Sequence, residues 1–236
     1  MSNLHTPVVF IPALLCDEAL YSAVIKDLGE AIEAHVMLSP KPRLEDSVAD
    51  ILARAPERFA LVGTSYGGSL AIEIALAAPH RVTALWLMGC DPGAPSTHVA
   101  EMASALESTP DAVIDMLAGR IVPPHAVEAA ATFRAMAGRI GGVAGAAQAR
   151  ALSVRREASS RLSALTMPTL VLWGENDPLV PVAIGRQLAA DLPRAQFDAL
   201  QNCGHLPTLE KPASCAVRFR ILLQEAAAAA AAAAAG

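Results

Sequence analysis

The chain is poor in the signatures of several large functional classes. Its four cysteines, Cys16, Cys90, Cys203 and Cys215, include no C-x-x-C pair. Their spacing offers no zinc ligand set and no redox dithiol, so reduced thiols in the cytoplasm are the expected state and no metal is expected. Basic residues are not in excess: Lys+Arg 18 against Asp+Glu 23 gives a formal net charge of −5. A nucleic-acid partner is therefore not expected, because such binding needs basic side chains concentrated on one face. Residues 1–7 contain no Lys or Arg, and the apolar run Val8–Leu15 is cut by Pro12, so no N-terminal targeting signal is read. Apart from alanine, no apolar run approaches the roughly 20 residues that span a bilayer, and no membrane partner is expected. There is no internal repeat, which excludes solenoid and propeller architectures.

What the chain has is apolar content, 53% of 236 residues, enough for a sizeable core. Short β-branched runs alternate with segments of helical period. This pattern predicts an α/β fold with a mostly parallel sheet of about six strands and helices on both faces. The strands are read at Val8–Ile11, His35–Leu38, Phe59–Gly63, Val82–Met88, Thr169–Trp173 and Ala195–Leu200, and most are apolar throughout, as strands buried on both faces are. Helices are read at Glu18–Glu33, Leu44–Ala55, Tyr66–Ala77, Val182–Asp191 and Ala213–Glu225. The interval 93–167 is too long for one crossover and is read as a helical lid inserted into a core made of 1–92 and 168–225. Its helices are placed at Val99–Leu106, Asp111–Leu117, Ala126–Met136 and Val143–Arg156, with Pro110, Pro123 and Gly141-Gly142 as breakers. The alanine run 226–236 is set apart as a tail outside the folded unit.

The chemistry begins at Gly63-Thr64-Ser65-Tyr66-Gly67, a G-x-S-x-G between an apolar strand and a helix. A serine on so sharp a turn is lifted above the sheet edge, and its flanking glycines let the backbones pass. A serine hydroxyl needs a base, and that base needs an orienting carboxylate. Past the last strand, Gly204-His205-Leu206-Pro207 offers the base; after the fifth strand, Gly174-Glu175-Asn176-Asp177-Pro178 offers the acid. Loops at the carboxyl ends of parallel strands are where open α/β sheets place their reacting groups. Glu175 and Asp91 compete with Asp177 for the acid position.

Taken together, the elbow, the acid loop and the histidine loop, with Glu210 and Pro212 behind it, resemble the α/β-hydrolase superfamily over residues 6–225. The resemblance implies Ser65 as nucleophile, His205 as general base then acid, and Asp177 as the residue orienting the imidazole. It also implies an oxyanion hole built from the backbone NH groups of Tyr66 and Leu14, although Pro12-Ala13 stands where many relatives have His-Gly. Whether Leu14 or Leu15 presents the second NH stays open. So few residues precede the first strand that the superfamily's N-terminal antiparallel hairpin is expected to be absent. A serine at position 65 disfavours the halogen- and epoxide-cleaving branches, which carry aspartate there. The implied activity is cofactor-free hydrolysis of a small to medium carboxylic ester through an acyl-enzyme, with carboxylesterases as the nearest likeness. A receptor with vestigial turnover, an acyltransferase, a thioesterase and a lyase on the same scaffold are the alternatives. Arg150, Arg155 and Arg156 are candidates for meeting an anionic substrate or carrier. Cys16, Cys90 and Cys203 fall in loops at the catalytic edge, so bulky thiol reagents are expected to slow the enzyme.

Overall fold

The structure is a computed structural model that describes residues 5–235. Six strands form one parallel sheet: β1 (Thr6–Ile11), β2 (Ile32–Val36), β3 (Phe59–Thr64), β4 (Val82–Met88), β5 (Thr169–Gly174) and β6 (Ala195–Leu200), in the order β2-β1-β3-β4-β5-β6. The apolar strands sit inside: every residue of β3 and β5 is buried. The edge strands β2 and β6 are only partly covered. Among the described residues no antiparallel hairpin precedes β1, and β1 pairs directly with both β2 and β3.

The helices of the core are α1 (Ser22–Leu28), α2 (Leu44–Arg54), α3 (Tyr66–Ala77), α7 (Val182–Asp191), α8 (Pro207–Glu210) and α9 (Pro212–Ala235). α1 packs on α9, and α2 on α3. Aromatic contacts join α9 and α1 to the sheet: Phe219 stacks on Trp86 at 4.7 Å between ring centroids, and Tyr21 lies 5.0 Å from Phe10. Such pairs contribute about 0.5–1.5 kcal/mol each beyond their buried area.

Three elements differ from the sequence reading. The helix read over Glu18–Glu33 is a 3-10 turn at Glu18–Leu20, then α1, then a 3-10 turn at Gly29–Ala31. Gly29, with φ 58°, ends α1, because a left-handed residue terminates the helical ladder. Consequently β2 begins at Ile32 and ends at Val36 rather than running over His35–Leu38. Finally, α9 continues through the alanine run to Ala235, since alanine is the strongest helix former.

Between β4 and β5 stand α4 (Thr97–Ser108), α5 (Pro110–Ala118) and α6 (Val127–Ser153). Ser96 caps α4 by accepting from the His98 NH at 3.3 Å, and Pro110 opens α5. The two helices expected at Ala126–Met136 and Val143–Arg156 abut as one element. The break lies at Gly141, whose φ 77° and ψ 164° are not helical. Arg155 and Arg156 follow the end of α6 instead of belonging to it.

Candidate active site

The carboxyl ends of β1, β3, β4, β5 and β6 open on one cavity of about 670 Å³, roofed by the 93–167 insertion. Ser65 follows β3 with φ 54° and ψ −115°, a conformation that side-chain-bearing residues avoid. Its surroundings hold it there. Its NH donates to Met88 O at 2.8 Å, and its carbonyl accepts from the Ser69 NH at 3.0 Å. A Cβ at Gly67 would lie 2.0 Å from Ile11 O, so only glycine lets α3 approach the end of β1 this closely. Beneath the turn, buried Tyr21 donates to Ile11 O at 2.8 Å. Its single proton is thereby used, so the Thr64 hydroxyl donates to Tyr21 Oη, also at 2.8 Å. The ends of β1 and β3 are pinned together through one ring.

His205 is 2% exposed and lines the same cavity as Ser65. Its Nδ1 meets Asp177 Oδ2 at 2.8 Å, while Asp177 Oδ1 accepts from the NH groups of Leu179 and Val180, each at 2.9 Å. A carboxylate only accepts, so Nδ1 carries a proton, and in the neutral ring the lone pair is then on Nε2. Neither rival acid is hydrogen-bonded to the imidazole, although Asp91 lies in the cavity wall. Glu175 is exposed, and Asp91 caps its own turn, accepting from the Gly93 NH at 2.8 Å. Of the other histidines, His98 reaches the cavity wall, where it faces Glu101 at 3.3 Å.

Four contacts hold the histidine loop. Glu210 accepts from the Gly204 NH at 2.6 Å and the Leu206 NH at 3.1 Å, bracketing the imidazole; the His205 NH donates to Ile121 O of the insertion at 3.0 Å. Burial pushes the Glu210 carboxyl above its ordinary value, against the pull of those two NH groups. The fourth contact is the imidazole's seat over Gly89, where an added Cβ would stand 2.8 Å from His205 Cε1. The sequence signal for Gly89 is a lone glycine directly after an apolar strand, which is weak by itself.

Leu14 and Tyr66 both line the cavity. The Leu15 NH donates to Gln148 Oε1 at 3.0 Å. That amide is occupied, whereas the Leu14 NH has no partner among the described residues. As the first residue of α3, Tyr66 has an NH that the helix itself cannot satisfy. Leu14, Tyr66 and the start of α3 thus share the cavity with Ser65, and helix starts and free backbone NH groups are suited to a negatively charged oxygen. Among the described residues, no group of three or more His, Cys, Asp or Glu is placed to hold a metal ion.

The three arginines separate. Arg155 is in the cavity wall, donating to Asp91 O at 2.8 Å and to Gly93 O. Arg150 pairs with Glu107 at 2.6 Å on the outside, and Arg156 lines only a smaller depression that it shares with Arg155.

A 2-hydroxy-6-oxononadienedioate/2-hydroxy-6-oxononatrienedioate hydrolase of Cupriavidus pinatubonensis is 33% identical over 165 residues, 63% of this chain and 56% of that protein. The chain thus spans little more than half the length of that relative. A pimeloyl-[acyl-carrier protein] methyl ester esterase of Aromatoleum aromaticum is 27% identical over 207 residues, covering 75% of this chain and 78% of its own. Among solved structures, an enol-lactonase of Burkholderia xenovorans superposes with a TM-score of 0.85 at 18% identity, over 93% of this chain and 92% of that one. An esterase of Thermogutta terrifontis does so at 0.83 and 21%, over 94% and 90%. A model of the α/β hydrolase family matches residues 21–218. That span takes in the serine turn, the acid loop and the histidine loop together, and the chain belongs to the α/β hydrolase family.

Proposed function

We propose that this protein is a serine hydrolase that cleaves a small to medium carboxylic ester through an acyl-enzyme. The observation that carries the reading is the buried Asp177–His205 hydrogen bond, which makes Nε2 the basic nitrogen of the neutral imidazole in the cavity that the strained Ser65 turn also enters. In this reading Ser65 Oγ bonds to the ester carbonyl carbon as its proton passes to His205 Nε2. The carbonyl oxygen, now an oxyanion, accepts from the NH groups of Leu14 and Tyr66; losing one such donor costs about 2.7–4 kcal/mol of barrier. His205 returns the proton to the departing alcohol. Water then repeats the sequence on the acyl-enzyme, releasing the acid and free Ser65. Asp177 stays ionised throughout, holding the tautomer and stabilising the imidazolium. The 93–167 segment acts as the lid, excluding water and shaping an apolar pocket with Val99, Met102, Met116 and Leu117. The four unpaired thiols suit a reducing compartment such as the cytoplasm.

A second reading is hydrolysis of an activated carbon–carbon bond next to a carbonyl, favoured by the identity with the dienedioate hydrolase. It would use the same oxyanion and the same serine turn. Steady-state turnover of a p-nitrophenyl ester series against a vinylogous 1,5-diketone acid separates the two. Ester hydrolysis with kcat/KM at least about tenfold above the diketone supports the first reading, and the reverse ratio the second. A fluorophosphonate burst without turnover on either would point to a receptor.

A further inference from the structure

Gln148 is 133 residues from the loop it touches, and the proposed reaction gives it no part. It stands on α6, is 1% exposed, and its Oε1 accepts the NH of Leu15, itself fully buried. Leu15 has φ 61°, a left-handed conformation that a leucine keeps only when its surroundings impose it. The same helix makes two further contacts with this short loop. Gly145 lets α6 lie directly on the Leu15 side chain; a Cβ there would be 2.5 Å from Leu15 Cδ2. Beyond the Gly141 kink, Arg139 grips Asp17 through two hydrogen bonds of 2.7 and 3.1 Å.

We infer that Gln148 is a positioning residue for oxyanion stabilisation: by holding the Leu15 amide it sets the backbone that presents the Leu14 NH to the substrate oxygen. The peptide plane carrying the Leu15 NH begins at the Leu14 carbonyl, so holding that plane restricts ψ of Leu14 and, through it, the directions open to the preceding NH. The inserted helix is then part of the catalytic geometry as well as a cover. A lid unseated from the 12–17 loop would lose an oxyanion donor together with its shielding from water. This inference rests on the serine-hydrolase reading of the site.

The test compares Gln148→Met, which keeps length but removes a strong acceptor, with Gln148→Glu, which keeps an acceptor oxygen, in the full chain. Readouts are kcat and KM for p-nitrophenyl butyrate, Ki for a trifluoromethyl ketone that adds to a serine as a tetrahedral oxyanion, and Tm. Gln148→Met should lower kcat about 10- to 100-fold, less than outright removal of a donor at ~10²–10³. KM should stay within about twofold, and the ketone Ki should weaken in parallel with kcat. Gln148→Glu should recover most of both. If Gln148→Met does not fold, Gln148→Asn, which is too short to reach Leu15, replaces it in the comparison with Gln148→Glu. Unchanged kcat and ketone affinity in the variant lacking the acceptor, or equal losses in the acceptor-keeping variant, would overturn the inference. A Ser65→Ala protein that still turns over ester would instead overturn the reading beneath it.

Discussion

Ser65 carries a backbone conformation that costs about 1–3 kcal/mol wherever a Cβ is present. Alanine keeps the Cβ and so keeps the strain; only glycine releases it. Ser65→Ala and Ser65→Gly should both abolish ester turnover, with fluorophosphonate labelling lost in each. By calorimetry Ser65→Gly should melt about 2–4 °C above Ser65→Ala, the shift expected for ~1 kcal/mol in a chain of this size. Equal melting temperatures would show that the turn is not strained. At Gly89 the constraint comes from a neighbour, because a methyl there would press on His205 Cε1. Gly89→Ala should reduce kcat by about 10²-fold or more, as ångström-scale misplacement of a reacting group does, while the fold persists. Arg155 is the one of the three arginines that lines the main cavity. Arg155→Met should raise KM for an ester bearing a second carboxylate several-fold more than for its neutral analogue. The same change at Arg156 should leave that ratio alone, and a ratio unchanged in both variants would remove charge recognition.

The insertion is tied to the core at the level of elements, and one tie titrates. Burial favours the neutral form of Asp17, but the Arg139 guanidinium and the Ala19 NH outweigh it and hold the carboxyl below its ordinary value. A carboxyl depressed in the folded state contributes stability above its unfolded pKa, about 3.9, and loses it as pH falls through the lower folded value. Without Arg139, backbone NH groups alone oppose burial and the folded pKa moves up. Arg139→Met should therefore lower the urea midpoint most at pH 7, and the deficit should shrink as pH falls below the unfolded value toward the depressed folded value of Asp17. A deficit independent of pH would assign the effect to packing alone. The same element shows why pattern reading falls short. The Gly141-Gly142 break is visible in the chain because a positive φ is local. What the two halves of α6 grip is not, because Gln148 and Arg139 look like ordinary polar residues of a solvated helix face. The error at Glu18–Glu33 has a related cause: Gly29 sits inside a run of helical period, and only pairing with β1 makes Ile32–Val36 a strand.

For the molecule as a whole, the sheet order leaves only β2, at one edge, away from the cavity and gathers the ends of the other five strands on it. It also buries every cysteine. Burial pushes the thiols of Cys90 and Cys215 up to about 12 and raises Cys16 and Cys203 as well. Thiol reagents were expected to slow the enzyme through the loop cysteines; with no thiolate at neutral pH and no access, the native protein should resist them. Labelling with dithiobis-nitrobenzoate at pH 7 should find no fast thiol in the folded protein and four after unfolding in guanidinium. One rapidly reacting thiol with concurrent loss of activity would place Cys90, which borders the cavity, in contact with solvent.

The chain by itself determined the layered α/β class, the parallel strands and the serine turn. These depend on periodicity and on residues adjacent in sequence, where steric rules act over a few bonds. It also narrowed the histidine and the carboxylate to strand-end loops. Only the tertiary structure decided which acid reaches the imidazole, Asp177 and not Glu175 or Asp91. It likewise decided that the Leu15 amide is already spoken for and that a glycine after β4 is the floor beneath His205. Those outcomes depend on atoms brought within 3 Å across tens to more than a hundred residues of chain. At that range position is set by how whole elements pack, and composition and spacing carry no record of it.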